Sequence, residues 1–151
     1  MKEAGPLWKV PVTPDLLNEM GKGTLMEALG IVFTEVGPDY LRARMPVDHR
    51  TRQYLGMLHG GASVALAETV ASTASNLVLD PSAQYAIGLE INANHLKAVR
   101  EGYVWAEARP IHLGRTIHVW DIRIYEEGTG ALVTALRHTV IVRNRSGQTN
   151  S

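Results

Sequence analysis

QYLGMLHGGASVALAETVASTASNLVL, residues Gln53 to Leu79, decides how the rest of the chain is read. Its only acidic or basic side chain apart from histidine is Glu68, set among Ala65, Leu66, Ala67, Val70 and Ala71, with His59, Gly60 and Gly61 about two helical turns upstream. A carboxylate on a helix of small apolar residues is normally paired or put to use, because burying an isolated charge is costly. Ala62, Leu66, Val70 and Thr73 recur at three- and four-residue steps, which predicts a buried helix over about residues 59–79 presenting one functional acid. Gly56, Gly60, Gly61, Ser63, Thr69, Ser72, Thr73, Ser75 and Asn76 make the stretch too polar for a membrane span.

The chain has 151 residues, 45% hydrophobic and 20% charged, the profile of a single domain over residues 1–151 with a sizeable core. Fifteen Lys and Arg balance fifteen Asp and Glu, so composition supplies no global attraction to nucleic acid or to an anionic membrane. There is no basic aromatic stripe, and the six histidines are scattered, so neither a nucleic-acid partner nor a metal is expected. The absence of cysteine excludes disulfides, thiol nucleophiles and thiolate metal sites. MKEAGPLWKVPVTPDLL lacks the features of a secretory signal, and a cytoplasmic location is expected.

Thr13, Pro14 and Asp15 form a helix start with Gly21 as its stop, and Leu16, Leu17 and Met20 are expected to face inward. Thr24 and Glu27 have capping-box spacing before Gly30, predicting a second short turn of helix. IVFTEV and YLRARMPV, parted by Gly37-Pro38-Asp39, read as a hairpin. After the long helix come four strand-like runs, QYAIGLEINANHLKAV, GYVWAEARPIHL, TIHVWDIRIYEE and ALVTALRHTVIVR. In the third, His118, Trp120, Ile122 and Ile124 alternate with a mixed face. The expected architecture is α+β, an antiparallel meander wrapped around one helix, with loose termini at 1–12 and 146–151. A single sheet of this kind leaves edge strands that dimerisation can extend.

MPVDHRTRQYLGMLHGGASVALAETVAS, GLEINANHLKAVREG and HLGRTIHVWDI resemble the hotdog-fold acyl-CoA thioesterases over nearly the whole chain. Within them the resemblance is nearest to the 1,4-dihydroxy-2-naphthoyl-CoA hydrolases of menaquinone synthesis, with the enterobactin proofreading and Arthrobacter-type 4-hydroxybenzoyl-CoA thioesterases as relatives. The motif is a Gln, then His-Gly-Gly, then Glu on the helix. The resemblance implies hydrolysis of an aromatic acyl-CoA, a homodimer or a tetramer of two dimers, active sites at the subunit interface, and no metal or other cofactor. Coenzyme A is then part of the substrate.

By the same resemblance Glu68 is the catalytic carboxylate, either attacking the thioester carbonyl or deprotonating a water. Gly60 offers a backbone N–H as oxyanion-hole donor at the helix N-terminus, and His59 polarises or orients beside it. Gln53 contacts the carbonyl or places water, and Ser72, one turn beyond Glu68, orients the carboxylate or the water. Thr73 and Gly88 are candidates for the acyl pocket. His95, Lys97, Arg100, Gly114, Arg115 and Thr116 are candidates for the pantetheine and nucleotide, with Arg143 and Arg145 as further cations. A non-catalytic acyl-CoA binder and a hotdog dehydratase or hydratase are the alternative classes.

Overall fold

A computed structural model of the chain describes residues 6–146. Two short helices lead, α1 (Pro14–Met20) and α2 (Leu25–Leu29), followed by a hairpin of β1 (Val32–Val36) and β2 (Leu41–Pro46), the long helix α3 (Gly60–Leu77), and strands β3 (Gln84–His95), β4 (Tyr103–Leu113), β5 (Ile117–Glu126) and β6 (Leu132–Asn144). All six strands join one antiparallel sheet in the order β1-β2-β4-β5-β6-β3. The expected meander therefore holds from β4 to β6, whereas β3 crosses to the far edge and pairs with β6 instead of β4. Its place is fixed by α3, which runs across the concave face and delivers the chain to the opposite edge.

The sequence explains the local elements. Thr13 Oγ1 accepts the Leu16 N–H at 3.2 Å and Gly21 closes α1. Only Leu17 of that helix is buried; Leu16 and Met20 are 49% and 68% exposed, because two turns cover too little of the sheet to bury three residues. Thr24 caps α2, while Glu27 takes the Gly23 N–H at 2.8 Å rather than closing a box on Thr24. Of the terminal residues expected to be loose, 6–12 are anchored: Leu7 N–H donates to Pro38 O and Lys9 N–H to Leu77 O, both at 2.8 Å, and the Trp8 indole donates to Gly37 O at 2.7 Å. Residues 1–5 and 147–151 lie outside the described residues.

Small residues let α3 sit close to the sheet: Ala62, Ser63, Ala67, Ala71, Ala74 and Ser75 are buried along it beside Leu66 and Val70. They face Ala43, Ala106, Ala108, Trp120, Ile122 and Val140 from the concave face. Close contact makes a buried polar tie necessary. Trp120 is fully buried, and its indole N–H donates to Ser75 Oγ at 2.6 Å; left unpaired, that donor would cost roughly 1–3 kcal/mol. Ser75 then has its own proton free for His118 Nδ1, 3.2 Å away, which places the ring proton of the neutral imidazole on Nε2.

Burial holds the His118 pKa below its ordinary value, with the nearby His112 adding to the effect and a hydrogen bond to the Gly114 backbone opposing it. The unfolded chain therefore takes up this proton more readily than the folded one, and stability is lost as pH falls from about 6.5 through the lowered folded value, at no more than about 1.4 kcal/mol per pH unit. Urea unfolding between pH 7.5 and 5 is expected to show this loss, and His118→Asn to flatten it. An acid slope unchanged in that variant would assign the proton uptake to another group.

Candidate active site

The loop before α3 is built to hold Gln53. Asp48 accepts the Arg50 N–H at 2.9 Å and its guanidinium at 2.8 Å, and these side-chain bonds hold the Asp48 carboxyl well below its ordinary value, at about 2. Thr51, buried, donates its hydroxyl to Pro46 O at 2.6 Å. Gln53 N–H then donates to Met57 O, and Gly56, at φ 80°, turns back to donate to Gln53 O, a conformation that favours glycine. The Gln53 side-chain oxygen accepts the Leu55 N–H, which leaves the amide NH2 as the group available for a ligand.

At the start of α3, His59 is the N-cap, and its Nδ1 accepts the Gly61 N–H at 2.8 Å. Ala62 and Ser63 N–H groups bond to the His59 carbonyl. The Gly60 N–H is left without an acceptor among the described residues, at the end of the helix where the dipole favours developing negative charge. A Cβ on Gly60 would stand 2.7 Å from His95 Nε2, so the glycine lets that ring lie over the helix start. Gln53, Gly60, Ser63, His95, Leu96, Lys97 and Thr134 share a cleft of about 350 Å³.

Glu68 opens into a different cleft, about 590 Å³, with Val64, Thr69, Ser72, Thr73, Ile87 and Gly88. The carboxylate is half-buried and takes part in no salt bridge among the described residues. Gly88 is what admits it: a Cβ there would stand 2.3 Å from Glu68 Oε1 and 3.0 Å from His138 Cε1. The β3 register shifts between Gly88 and Glu90, the kind of bulge that re-aims a strand beside a site. Asn76 fixes the approach by bonding both the N–H and the carbonyl of Ala86 at 3.0 Å.

Glu68 is eight residues beyond Gly60, about 12 Å along the helix at 1.5 Å per residue. One chain thus gathers Gln53, Gly60 and His95 in one place and Glu68, Ser72, Thr73 and Gly88 in another. His59 is spent on capping by its Nδ1 and turns an exposed ring outward. Among the cation candidates, Lys97 pairs with Glu126 and Arg100 donates to Leu55 O at 3.2 Å. Gly114, Arg115 and Thr116 form the β4–β5 turn, where the Thr116 carbonyl accepts from Val142 N–H. That turn lies at the far end of the sheet from His95, since Ile87 pairs with Ile141 and His95 with Thr134. Arg143 and Arg145 are exposed, and Arg145 Nε donates to Pro81 O at 2.8 Å.

One residue behind the Glu68 cleft escaped the sequence reading. His138 on β6 is fully buried, with Nε2 3.0 Å from Ser72 Oγ and Nδ1 2.8 Å from Glu90 O. The signal was its inward position in the alternation Leu136, His138, Val140, Val142, where a polar side chain requires a partner.

The family model described as the Thioesterase superfamily matches residues 55–133, which include α3, Glu68, β3 and β4. The chain is 46% identical to the 1,4-dihydroxy-2-naphthoyl-CoA hydrolase of Escherichia coli (strain K12), covering 90% of this chain and 98% of that protein. It is also 46% identical, with the same coverage, to the proofreading thioesterase EntH of Cronobacter sakazakii. The crystal structure of a mutant thioesterase from Pseudomonas aeruginosa superposes with a TM-score of 0.90 at 47% identity, covering 92% of this chain and 99% of that one. With a helix-wrapping six-stranded sheet, a free carboxylate and a free helix-start N–H already in place, these likenesses decide the assignment: the chain belongs to the thioesterase superfamily and is a hotdog-fold thioester hydrolase.

Proposed function

We propose that the substrate is an aromatic acyl-CoA thioester of the hydroxybenzoyl or dihydroxynaphthoyl type, hydrolysed to the free acid and CoA. The observation that carries this reading is the Glu68 cleft, whose walls pair apolar side chains, Val64, Ala86 and Ile87, with the hydroxyls of Thr69, Ser72 and Thr73. Thr69 donates its proton to Ala65 O and Ser72 shares its own with His138, so both oxygens remain as acceptors for the hydroxyls of a substituted ring, a hydrogen bond that a long alkyl chain cannot offer. Similarity to a protein named as a dihydroxynaphthoyl-CoA hydrolase supports the same class.

The chemistry needs donors on the thioester oxygen and a basic or nucleophilic oxygen on the carbonyl carbon. Gly60 N–H and the Gln53 amide supply the first. Glu68 supplies the second, either attacking the carbonyl to give an anhydride and CoA thiolate or taking a proton from the attacking water. No cofactor enters this scheme, and CoA is consumed as part of the substrate. His95, Lys97 and Arg100 beside the first cleft are the groups on this chain placed to meet the CoA arm, and a cytoplasmic enzyme would meet such esters where they are made.

The two requirements are met in one place by a homodimer. Gly88, beside Glu68, and His95, beside Gly60, are seven residues apart on the edge strand β3. Antiparallel pairing of two β3 edges that sets Gly88 opposite the partner's His95 brings the carboxylate of one protomer to the oxyanion donors of the other. The same pairing carries the partner's Gly114-Arg115-Thr116 turn toward the first cleft, because that turn lies at the Ile87 end of the sheet. A tetramer would double this unit.

Three outcomes are expected. Glu68→Ala should fold normally and release CoA from benzoyl-, hydroxyphenylacetyl- and dihydroxynaphthoyl-CoA at least about a hundredfold more slowly, a loss comparable to removing one oxyanion donor; near-normal turnover would remove Glu68 from the chemistry, and selective hydrolysis of long fatty acyl-CoA would overturn the aromatic assignment. Gly88→Ala should lower kcat more than stability, since the added methyl must displace the carboxylate. Finally, mixing Glu68→Ala with Gln53→Ala protomers should restore part of the activity each lacks alone, as one site of the mixed dimer is intact. Failure of complementation with exchange of subunits demonstrated would confine the site to one chain.

A further inference from the structure

Ser72 and His138 form a pair whose proton positions are set by the atoms around them. Glu90 O, a carbonyl, can only accept, so the His138 proton facing it at 2.8 Å sits on Nδ1. In the neutral ring Nε2 is then a lone pair, and the Ser72 hydroxyl 3.0 Å away donates to it. A serine hydroxyl has one proton. With that proton committed to His138, Ser72 cannot donate to Glu68 or to a ligand and presents only lone pairs to the cleft it lines with Glu68.

We propose that His138 is a positioning residue for hydrolysis: by holding the Ser72 proton it makes the serine oxygen an acceptor for the attacking water. Resting on the Glu68 role above, the geometry is simple. A water that donates one proton to Glu68 and the other to Ser72 Oγ has its lone pairs turned away from both acceptors, toward the thioester carbon. On attack the proton facing Glu68 passes to the carboxylate, the C–S bond breaks with its electron pair on sulfur, and Glu68 returns the proton to the thiolate. His138 keeps one proton throughout. Were Ser72 a donor instead, it would hold one of the water's two lone pairs and leave the water's second proton without an acceptor. The site for this ring is specific: His138 is 0% exposed and its Cε1 borders the space that Gly88 leaves open beside the carboxylate.

The test has two independent arms. Long-range 1H–15N spectra, with the His138→Gln variant assigning the signal, should find His138 neutral with its proton on Nδ1, and this readout does not depend on activity; a proton on Nε2 overturns the proposal. In kinetics with an aromatic acyl-CoA, His138→Leu should lower kcat about tenfold to a hundredfold while KM moves little, as expected for a misplaced reactant. His138→Gln, whose amide can donate to Glu90 O and accept from Ser72, should recover most of that loss. Ser72→Ala with His138→Leu should be no slower than Ser72→Ala alone, since the histidine acts through the serine. Additive losses, or a kcat unchanged in both histidine variants, overturn the proposal. Should His138→Leu fail to fold, the position of the His138 proton still decides. A silent His138 series beside an inactive Glu68→Ala sinks this inference alone, whereas an active Glu68→Ala sinks the reading beneath it.

Discussion

The distance at which α3 can approach the sheet governs everything else in the molecule. Ala67, Ala71, Ala74 and Ser75 are fully buried on it, and a larger residue at such a position would have to displace the sheet or itself, typically at about 1–3 kcal/mol. Close approach leaves no room for water between helix and sheet, so polar groups there must satisfy one another. Two serines one turn apart on α3 do this with two histidines from the concave face: Ser75 with His118 and Trp120, Ser72 with His138. The first pair is sealed and serves cohesion. The second borders an open cleft, so the same structural device is available to chemistry.

Hydrogen-bond direction divides the functional groups into two kinds. Around the helix start, acceptors are consumed internally, His59 Nδ1 by Gly61 N–H and the Gln53 oxygen by Leu55 N–H, and what remains are donors. Around Glu68 the balance is reversed, with a free carboxylate and a serine whose proton is turned toward the sheet. Thioester hydrolysis asks for donors at the carbonyl oxygen and acceptors at the attacking oxygen. The chain thus holds donors in one cleft and acceptors in the other, which is the division the proposed reaction calls for.

Much of this was legible before the fold was known. Local signals with a single physical cause were read correctly: the Thr13 cap, the small-residue face of α3, the turn between β1 and β2, and the inward alternation of β5. The exposure of Leu16 and Met20 was not, because apolar character on a short helix does not say how far the neighbouring surface extends. Nor was the crossing of β3, since a meander and a crossover have the same strand runs in sequence and differ only in which edge α3 delivers the chain to. His138 was hidden because its two partners, Ser72 and the Glu90 carbonyl, are distant in sequence and meet only through packing.

The edges of the sheet carry the last step of the argument. An exposed strand edge invites association unless it is short, charged, broken by proline or covered. β1 has only five residues and a cover: Asn18 of α1 bonds both the carbonyl and the N–H of Phe33, at 3.0 and 2.7 Å. Asn76 covers β3 in the same way at Ala86, but at that point only. Beyond it β3 runs on to His95 with a single charge, Glu90, and no proline, and with Ile87 and Leu89 49% and 58% exposed. The uncovered stretch includes Gly88, beside the carboxylate, and reaches His95, above the helix-start donor. An edge left open where both clefts border it is what the proposed homodimer requires: on that reading, the association that protects the strand is also the one that completes the site.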